Sequence, residues 1–446
     1  MADLTPEALA GVVRAQRRGE PRGIASICSA NPFVLQAALE QALEDGSSLL
    51  VESTSNQVNP EGGYTGQKPA DFAAWARGSA REAGLPPERL VLGGDHLGPH
   101  PYRARPAAEA MAAGCEMVRQ YVRAGYAKIH LDASMRLGGD PGPEGAPPAP
   151  ELVTARTVEL AAAAEAARCD LADEALAPVY VIGTDVPPPG GETSDASPPA
   201  VTSAAEATRA LGLARDAFRA RSLESAWQRV IALVVQPGVD FTAARVFEYD
   251  RAAGAALRPV LDDAPGMVFE AHSTDYQPER ALRGLVADGF GVLKVGPWLT
   301  YAFRQAVFAL EAVEREWLGG RRQVELSGVR DALEAAMDAD PRHWRGHHRP
   351  GETLRAERAF GYSDRVRYYW PAASVQAALA RLRANLHSFP PPLPLLGQYL
   401  PGQYEAVREG RIGTTPEELV ASAVRQVIRL YARVCAGQGL RAERPA

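Results

Sequence analysis

Short apolar segments alternate eight times with longer helical segments over about the first 320 residues of this 446-residue chain. Strands that read as nearly continuous apolar runs are typical of parallel sheets, whose strands need crossover helices. The predicted strands are residues 23–28, 48–53, 90–94, 128–132, 178–183, 230–236, 267–272 and 291–295. The predicted helices are residues 33–45, 71–83, 106–123, 151–170, 203–219, 242–253, 279–288 and 301–317. Eight such units predict a closed (β/α)8 TIM barrel.

A doubly wound open sheet is the alternative architecture for the same alternation. That fold usually carries a glycine-rich phosphate turn after its first strand. Here the first predicted strand is followed by Ser29-Ala30-Asn31-Pro32, which caps and starts a helix instead. The barrel is therefore favoured.

The pattern changes beyond about residue 320, where strand signals fade and helical periodicity persists. Helices are predicted at 328–339, 373–386 and 416–436, with an extended proline-rich connector at 390–394. An amphipathic helix is expected at 1–16. We predict two parts, a barrel over residues 1–320 and a helical C-terminal extension over 321–446 that packs on it.

Charge and cysteine content exclude several classes of protein. A formal net charge of −6 gives no basic footprint for nucleic acid or an anionic membrane. The four cysteines are widely spaced and include no C-x-x-C pair, which argues against a disulfide framework. No apolar run reaches the length of a membrane span. We expect a cytoplasmic protein with no membrane partner, and a homo-oligomer.

Sequence motifs for nucleotide-dependent chemistry are also missing. The chain has no G-x-x-x-x-G-K-[ST], no G-x-S-x-G, no H-E-x-x-H and no G-x-G-x-x-G after a strand. Nucleotide hydrolysis, serine hydrolysis and dinucleotide redox are unsupported, and no nucleotide cofactor is expected.

Polar residues collect at the carboxyl ends of the predicted strands, where a barrel keeps its active site. Side chains alternate between the two faces of a strand, so Lys128, His130 and Asp132 share one face. Glu270 and His272 likewise share a face. A polar layer that only caps the barrel core is the structural alternative to a catalytic site.

His96 and His272 are the strongest metal-ligand candidates, because each lies just past a strand end with a carboxylate, Asp95 or Glu270, near it in sequence. Two imidazoles and one carboxylate form a common catalytic metal set. Asp185, at the end of the fifth predicted strand, is the candidate carboxylate ligand.

At these motifs the sequence resembles the tagatose-bisphosphate aldolase non-catalytic subunit family (GatZ/KbaZ), over nearly the whole chain. The resemblance is carried by residues 23–32, 52–59, 62–66, 93–99, 128–135, 270–277, 293–297, 363–370, 392–396 and 398–401. It implies a barrel similar to class II, metal-dependent ketose-bisphosphate aldolases. Some relatives are described as helper subunits and others as ketohexose or ketohexose-phosphate 4-epimerases.

The resemblance also implies roles for individual residues. Asp95 matches the catalytic acid, and His96 and His272 match metal ligands. Asp185 stands where the family commonly has Glu. Gln236 occupies the place of another aldolase ligand histidine, and Ser273-Thr274 stand where those aldolases have a glycine-rich phosphate loop.

The leading hypothesis is a metal-dependent ketose 4-epimerase acting on fructose-type and tagatose-type sugars, free or 6-phosphorylated. Retro-aldol cleavage followed by re-addition of the rotated aldehyde would invert C4 without a redox cofactor. The expected cofactor is a divalent ion, Zn, Mn, Ni or Co. The expected metal ligands are His96, His272 and Asp185, with Gln236 or Glu270 as a fourth. Asp95 and Asp132 are the expected acid/base groups, and Glu52, Asn56, Ser273 and Lys294 the expected substrate-binding residues.

Two alternatives stay open. The chain could instead be a non-catalytic subunit that stabilises a separate class II aldolase, a role that predicts a large exposed apolar patch. Schiff-base aldolase chemistry requires an inward-facing lysine. Only three of the 48 basic residues are lysines, and of these Lys128 and Lys294 lie in predicted strands.

Overall fold

The computed structural model describes residues 6–142, 146–171, 177–183, 198–348 and 351–437. Eight parallel strands form a closed barrel in which each strand pairs with the next and the eighth pairs with the first. The barrel strands are β1 (Ile24–Cys28), β2 (Leu49–Thr54), β3 (Leu90–Leu97), β4 (Lys128–Leu131), β5 (Val179–Ile182), β6 (Val230–Val234), β7 (Val268–Ala271) and β8 (Phe290–Val295). This confirms the predicted TIM barrel, including all eight strands.

Helices cover the outside of the barrel and follow the predicted positions closely. They are Pro32–Asp45, Pro69–Ala83, Ala107–Arg123, Pro150–Cys169, Ala204–Ala220, Glu279–Ala287 and Pro297–Leu318. The N-terminal helix, Glu7–Arg17, turns Leu9 and Val12 towards the inside of the barrel at the amino ends of the strands. No helix in the described part of the chain is both long and apolar enough to cross a membrane.

The helix predicted at 242–253 is wrong. The chain forms a two-stranded hairpin, Asp240–Phe241 against Val246–Phe247, followed by a single helical turn and the 3-10 helix Ala255–Asp263. The Thr242 hydroxyl accepts hydrogen bonds from the amides of Ala244 and Arg245, which closes a tight turn in place of the first helical turn. Such local side-chain bonds compete with helix formation.

The C-terminal extension consists of helices Val329–Ala339, Leu354–Phe360, Ala373–Ser388, Leu393–Tyr399, Pro401–Arg408 and Pro416–Cys435. The proline-rich connector is extended only at its start, because a helix begins at Leu393 and holds Pro394 in its first turn, where a missing N–H costs little. The last helix packs on helices Pro32–Asp45 and Pro297–Leu318, and the Gly23 amide of the barrel donates to the Cys435 carbonyl.

Candidate active site at the carboxyl ends of the strands

Five charged side chains meet in the interior of the barrel and form one network, hereafter the charge network. Lys128 Nζ lies 2.5 Å from Glu52 Oε1 and 2.7 Å from Glu270 Oε2. Lys294 Nζ lies 2.7 Å from Asp95 Oδ2 and also pairs with Glu52. All five residues are buried. Charges this far from water are tolerated only when they are paired.

A glycine makes this arrangement possible. Glu52, Gly93 and Lys128 stand side by side on β2, β3 and β4. A Cβ atom on Gly93 would lie 2.6 Å from Glu52 Cγ. The missing side chain therefore leaves the space through which Glu52 and Lys128 reach each other.

Three histidines lie next to the charge network. The ring centroids of His96, His130 and His272 are 4.8–5.3 Å apart. Each ring places one nitrogen against a carboxylate. His96 Nδ1 is 2.8 Å from Asp132 Oδ2, His130 Nδ1 is 2.9 Å from Asp95 Oδ1, and His272 Nε2 is 3.1 Å from Glu270 Oε1. Ionised carboxylates only accept, so His96 Nδ1 and His272 Nε2 carry protons. His130 Nδ1 lies between two partners, because the His96 amide also donates to it at 3.2 Å.

Two of the other ring nitrogens, His130 Nε2 and His272 Nδ1, are buried and have no hydrogen-bond partner among the described residues. Together with Asp95 and Glu270, these histidines offer four donor atoms within 4.8 Å of one another, a set that could hold a metal ion. Metal-ligating histidines usually have a carboxylate at their second nitrogen, and each of these three histidines places one nitrogen against a carboxylate. His130 was not among the predicted ligands.

The balance of charge also suits a cation. With neutral histidines, the four carboxylates of Glu52, Asp95, Asp132 and Glu270 face two ammonium groups, which leaves an excess of two negative charges. Burial alone would lower the pKa of His96, but Asp95 and Asp132 raise it above its usual value. A divalent ion would compensate the same excess.

The surroundings also shift the pKa values of His272, Asp95 and Lys294. Burial lowers the pKa of His272 to about 3, so its imidazole is neutral, as a ligand must be. Burial would raise the pKa of Asp95, but His96 and Lys294 hold it well below its usual range. Burial would lower the pKa of Lys294, yet Asp95 and other neighbouring acids raise it well above the usual value. A raised pKa favours the protonated amine of Lys294, which disfavours its attack on a carbonyl.

Unusual backbone conformations orient two residues of the site, His96 and Ser273. His96 and Ser273 have positive φ angles of 49° and 52°, which non-glycine residues rarely adopt. The β3–β4 register shifts between Gly94 and Leu97, at the point where Asp95 and His96 leave the regular ladder. Such bulges re-aim side chains next to active sites.

A cavity of about 410 Å³ opens above the histidines. Its lining includes Asp95, His96, His272 and Lys294 from the barrel, and Asn56 and Ser273 from the loops. The C-terminal extension supplies part of the opposite wall, with Arg367, Tyr368, Trp370, Pro371, Gln376 and Leu379. The volume lies in the range of small-molecule sites.

The remaining predicted residues lie elsewhere. Glu52 is fully buried, both its oxygens face lysines, and it is not among the residues that line the cavity. Asp132 lies behind His96, and its second oxygen accepts from the amide and hydroxyl of Ser134. Gln236 is not part of the four-residue set, and its Oε1 accepts from the Gly238 amide. Asp185 lies outside the described residues.

Comparison with known proteins places this chain among relatives of known fold. A family model described as D-tagatose-1,6-bisphosphate aldolase subunit GatZ/KbaZ-like matches residues 9–436. A crystal structure of a probable tagatose 6 phosphate kinase from Sinorhizobium meliloti 1021 is 40% identical, with a TM-score of 0.83 over 93% of this chain and 100% of that chain. A fructose-bisphosphate aldolase (Fba) from Campylobacter jejuni is 14% identical, with a TM-score of 0.47 over 86% of this chain and 93% of that chain.

Proposed function

The chain belongs to the D-tagatose-1,6-bisphosphate aldolase subunit GatZ/KbaZ-like family, and on that premise we propose that it is a metal-dependent ketose 4-epimerase. Its substrates would be fructose-type and tagatose-type ketohexoses. The observation that carries the proposal is the set of unpartnered imidazole nitrogens, His130 Nε2 and His272 Nδ1, beside the substrate-sized cavity.

The donor atoms fit a divalent ion. His130 and His272, with His96 beside them and Asp95 or Glu270 as the carboxylate, would hold it, and Asp185 stays a candidate ligand. Imidazole and carboxylate ligands suit Zn, Mn, Ni or Co. The ion, when bound, would supply Lewis acidity towards the carbonyl end of a ketose.

Epimerisation at C4 needs a proton transfer from O4 and back again, and cleavage and re-formation of the C3–C4 bond. Removal of the proton from the C4 hydroxyl forms an aldehyde while the electrons of the C3–C4 bond pass towards the C2 carbonyl. Rotation of the aldehyde and re-formation of the bond invert C4, and the proton returns to O4. The number of electrons is unchanged throughout, so no redox cofactor is needed.

Asp95 is placed to exchange that proton, because it is the one carboxylate of the charge network that lines the cavity. His130 and Lys294 lie on its two oxygens, and an ionised carboxylate has further lone pairs with which to accept a proton. Asp132 fixes the tautomer and orientation of His96, so we assign it a positioning role in place of the acid/base role predicted from the sequence. Asn56 and Ser273 line the cavity and would bind sugar hydroxyls.

The test is an assay of the metal-reconstituted protein with fructose and tagatose, free and 6-phosphorylated, read by NMR for the C4 epimer. At least one of the four sugars should be converted. His130→Asn should lose bound metal and epimer formation together, whereas the matched control His387→Asn, on the exposed surface, should keep both. The absence of a C4 epimer from all four sugars would reject the proposal.

A non-catalytic role beside a class II aldolase is the second candidate, favoured by the word subunit in the family description. It predicts a stable complex and a large exposed apolar patch. In the described part of the chain, the exposed large hydrophobic side chains are Trp317, Phe360 and Leu393. Co-purification with a class II tagatose-bisphosphate aldolase, without turnover by this chain alone, would favour it. Because one relative is named a probable kinase, the sugar assay should include an arm with ATP and Mg²⁺.

A further inference from the structure

Barrels of this type often bind phosphate after strands 7 and 8, at the N-terminus of a nearby helix. In this chain a carboxylate already occupies that place. Asp275 Oδ1 accepts from the amides of Gly296, at 3.0 Å, and Trp298, at 2.7 Å, where helix Pro297–Leu318 begins. A phosphate bound there would compete with Asp275 for the same N–H groups. An anionic substrate group must therefore find its partner elsewhere in the cavity.

Arg367, from the C-terminal extension, is placed to be that partner. It is half-buried and lines the cavity shared with Asp95, His96 and His272. Its Nη1 donates to the carbonyls of Ser363 and Asp364, and its Nη2 donates to the Tyr368 hydroxyl at 3.0 Å. These bonds hold the guanidinium in one orientation. They leave Nε–H and one hydrogen of Nη2 without an acceptor among the described residues.

The surroundings of Arg367 carry positive charge. Arg304 and Arg365 are buried nearby, and all three guanidinium groups act on the carboxyl group of Asp364, which is 3.5 Å from Arg304 Nε and hydrogen-bonded to Thr300. Two histidines lie nearby, His343 and His347. Burial lowers the pKa of His347 to about 3 and also lowers the pKa of His343, which favours the uncharged imidazole in both. The acids that line the cavity are Asp95 and Asp275, and Asp275 lies close enough to Arg367 for the guanidinium to act on its carboxyl group.

The neighbouring phenol responds to the same field. Burial would raise the pKa of Tyr368, but Arg367 and Arg365 lower it below its usual value. The phenol therefore stabilises negative charge more readily than a buried tyrosine normally does. An anion bound beside it would gain from the same two guanidinium groups.

We propose that Arg367 binds the phosphate group of a ketose 6-phosphate, so that the C-terminal extension selects the phosphorylated sugar over the free one. The identity of the sugar rests on the proposed function, but the anion site does not. The phosphate would lie on the extension side of the cavity, with the carbonyl end of the sugar towards the histidines. Arg367 is then a specificity-determining residue that the barrel alone does not supply.

The experiment compares binding with turnover. Calorimetry on the full chain, with inorganic phosphate, fructose 6-phosphate and free fructose as probes, reports the anion site without any reaction. The wild-type protein should bind fructose 6-phosphate more tightly than fructose, and inorganic phosphate should compete with it. Arg367→Gln should weaken binding of both phosphate-bearing probes by about ten- to a hundred-fold and leave fructose unchanged.

Arg408→Gln is the matched control, because Arg408 makes the same kind of pair with Tyr404, at 2.8 Å, on the exposed surface of the extension. It should bind every probe as the wild type does. Arg367→Lys serves if Arg367→Gln does not fold. It keeps the charge but loses the planar fork, and should bind fructose 6-phosphate with intermediate affinity.

Equal binding of fructose 6-phosphate and fructose by the wild type, or unchanged phosphate binding by both Arg367 variants, would overturn the proposal. If fructose 6-phosphate binds through Arg367 but no C4 epimer forms, the epimerase function fails and the anion site stands. If epimerisation occurs on free sugars with no preference for the phosphate, the epimerase function stands and the anion site fails.

Discussion

The two ends of the barrel interior are formed by the same strands but are filled by opposite kinds of side chain, apolar at one end and charged at the other. At the apolar end, hydrophobic side chains fill the interior beneath the N-terminal helix. At the polar end lie the charge network and the three histidines. The interior changes from apolar to charged over two residues of a strand. This occurs from Leu50 to Glu52 on β2, from Val268 to Glu270 on β7 and from Val292 to Lys294 on β8.

The difference separates stability from function within one core. Burial of apolar side chains stabilises the fold by about 25 cal/mol for each Å² removed from water. Buried ion pairs gain little on balance, because desolvation offsets most of their attraction. The polar end therefore contributes little to stability when intact, and it costs stability when one partner is removed. We infer that the charged groups of the polar end serve the cavity above it, which Asp95 and Lys294 line.

The largest effect is expected from removing one cation of the charge network. Lys128→Met would leave Glu52 and Glu270 short of a partner in the buried interior. Loss of one member of a buried pair typically costs about 3–5 kcal/mol. Urea unfolding of the apo-protein should show a decrease of that size in the free energy of unfolding.

The paired change isolates the cause. In the double variant Glu52→Gln/Lys128→Met, one negative charge leaves together with the positive one, so part of the lost stability should return. A double variant no more stable than Lys128→Met would show that packing volume, and not charge, limits the polar end.

Leu50→Ala tests the apolar end. Leu50 is fully buried in the interior cluster, and truncating a buried leucine usually costs about 2–5 kcal/mol. Metal affinity should be unchanged, because the side chain is not part of the donor set. A parallel loss of metal affinity, measured by competition with a chelator, would contradict the separation between the two ends.

Asp132→Asn makes the opposite test at the polar end. The amide keeps the volume of the carboxylate but no longer favours the protonated Nδ1 of His96. Changes in residues behind a metal ligand typically reduce metal affinity by about 10–100-fold. The free energy of unfolding of the apo-protein should change less than in Leu50→Ala. Metal affinity equal to that of the wild type would exclude His96 from the site.

The sequence predicts the fold well because the strand–helix alternation is a local pattern repeated eight times. The prediction fails at residues 242–253, where one threonine hydroxyl closes a turn that composition does not distinguish from a helix start. It also misses the short helices Leu354–Phe360 and Pro401–Arg408, whose few turns carry too little periodicity to recognise.

The site is predicted in part, because strand-end position can be read from the sequence but distances between strands cannot. His96, Asp95 and Lys294 come together as expected. His130, a member of the candidate donor set, was not predicted as a ligand, although period-two alternation places it on the inward face with Lys128 and Asp132. Glu52 was expected at the substrate, since nothing local shows that two lysines cover both its oxygens.

Arg367 required the tertiary structure, because only the docking of the extension brings it to the cavity. The lysine content carried a usable signal: of three lysines in an arginine-rich chain, Lys128 and Lys294 are interior members of the charge network. Lys68, in contrast, is exposed at the start of helix Pro69–Ala83.

The smallest expected effect concerns Asp275, a buried carboxylate outside the charge network. The carboxylates of the charge network are paired with lysines, whereas the hydrogen bonds that Asp275 accepts from the described residues come from backbone amides, and burial raises its pKa to about 6. The unfolded chain has a pKa of about 3.9 for aspartate. The folded state thus binds the proton more tightly, and stability is lost as the pH rises from about 4 through 6.

Asp275→Asn can still accept both N–H groups without ionising, so it should stabilise the protein by about 2 kcal/mol at pH 8 and by less than about half of that at pH 4.5. Urea unfolding at the two pH values measures this, with Asp216→Asn, which changes an exposed aspartate, as the matched control. A gain from Asp275→Asn that is equal at both pH values would mean that Asp275 is ionised throughout, like the carboxylates of the charge network.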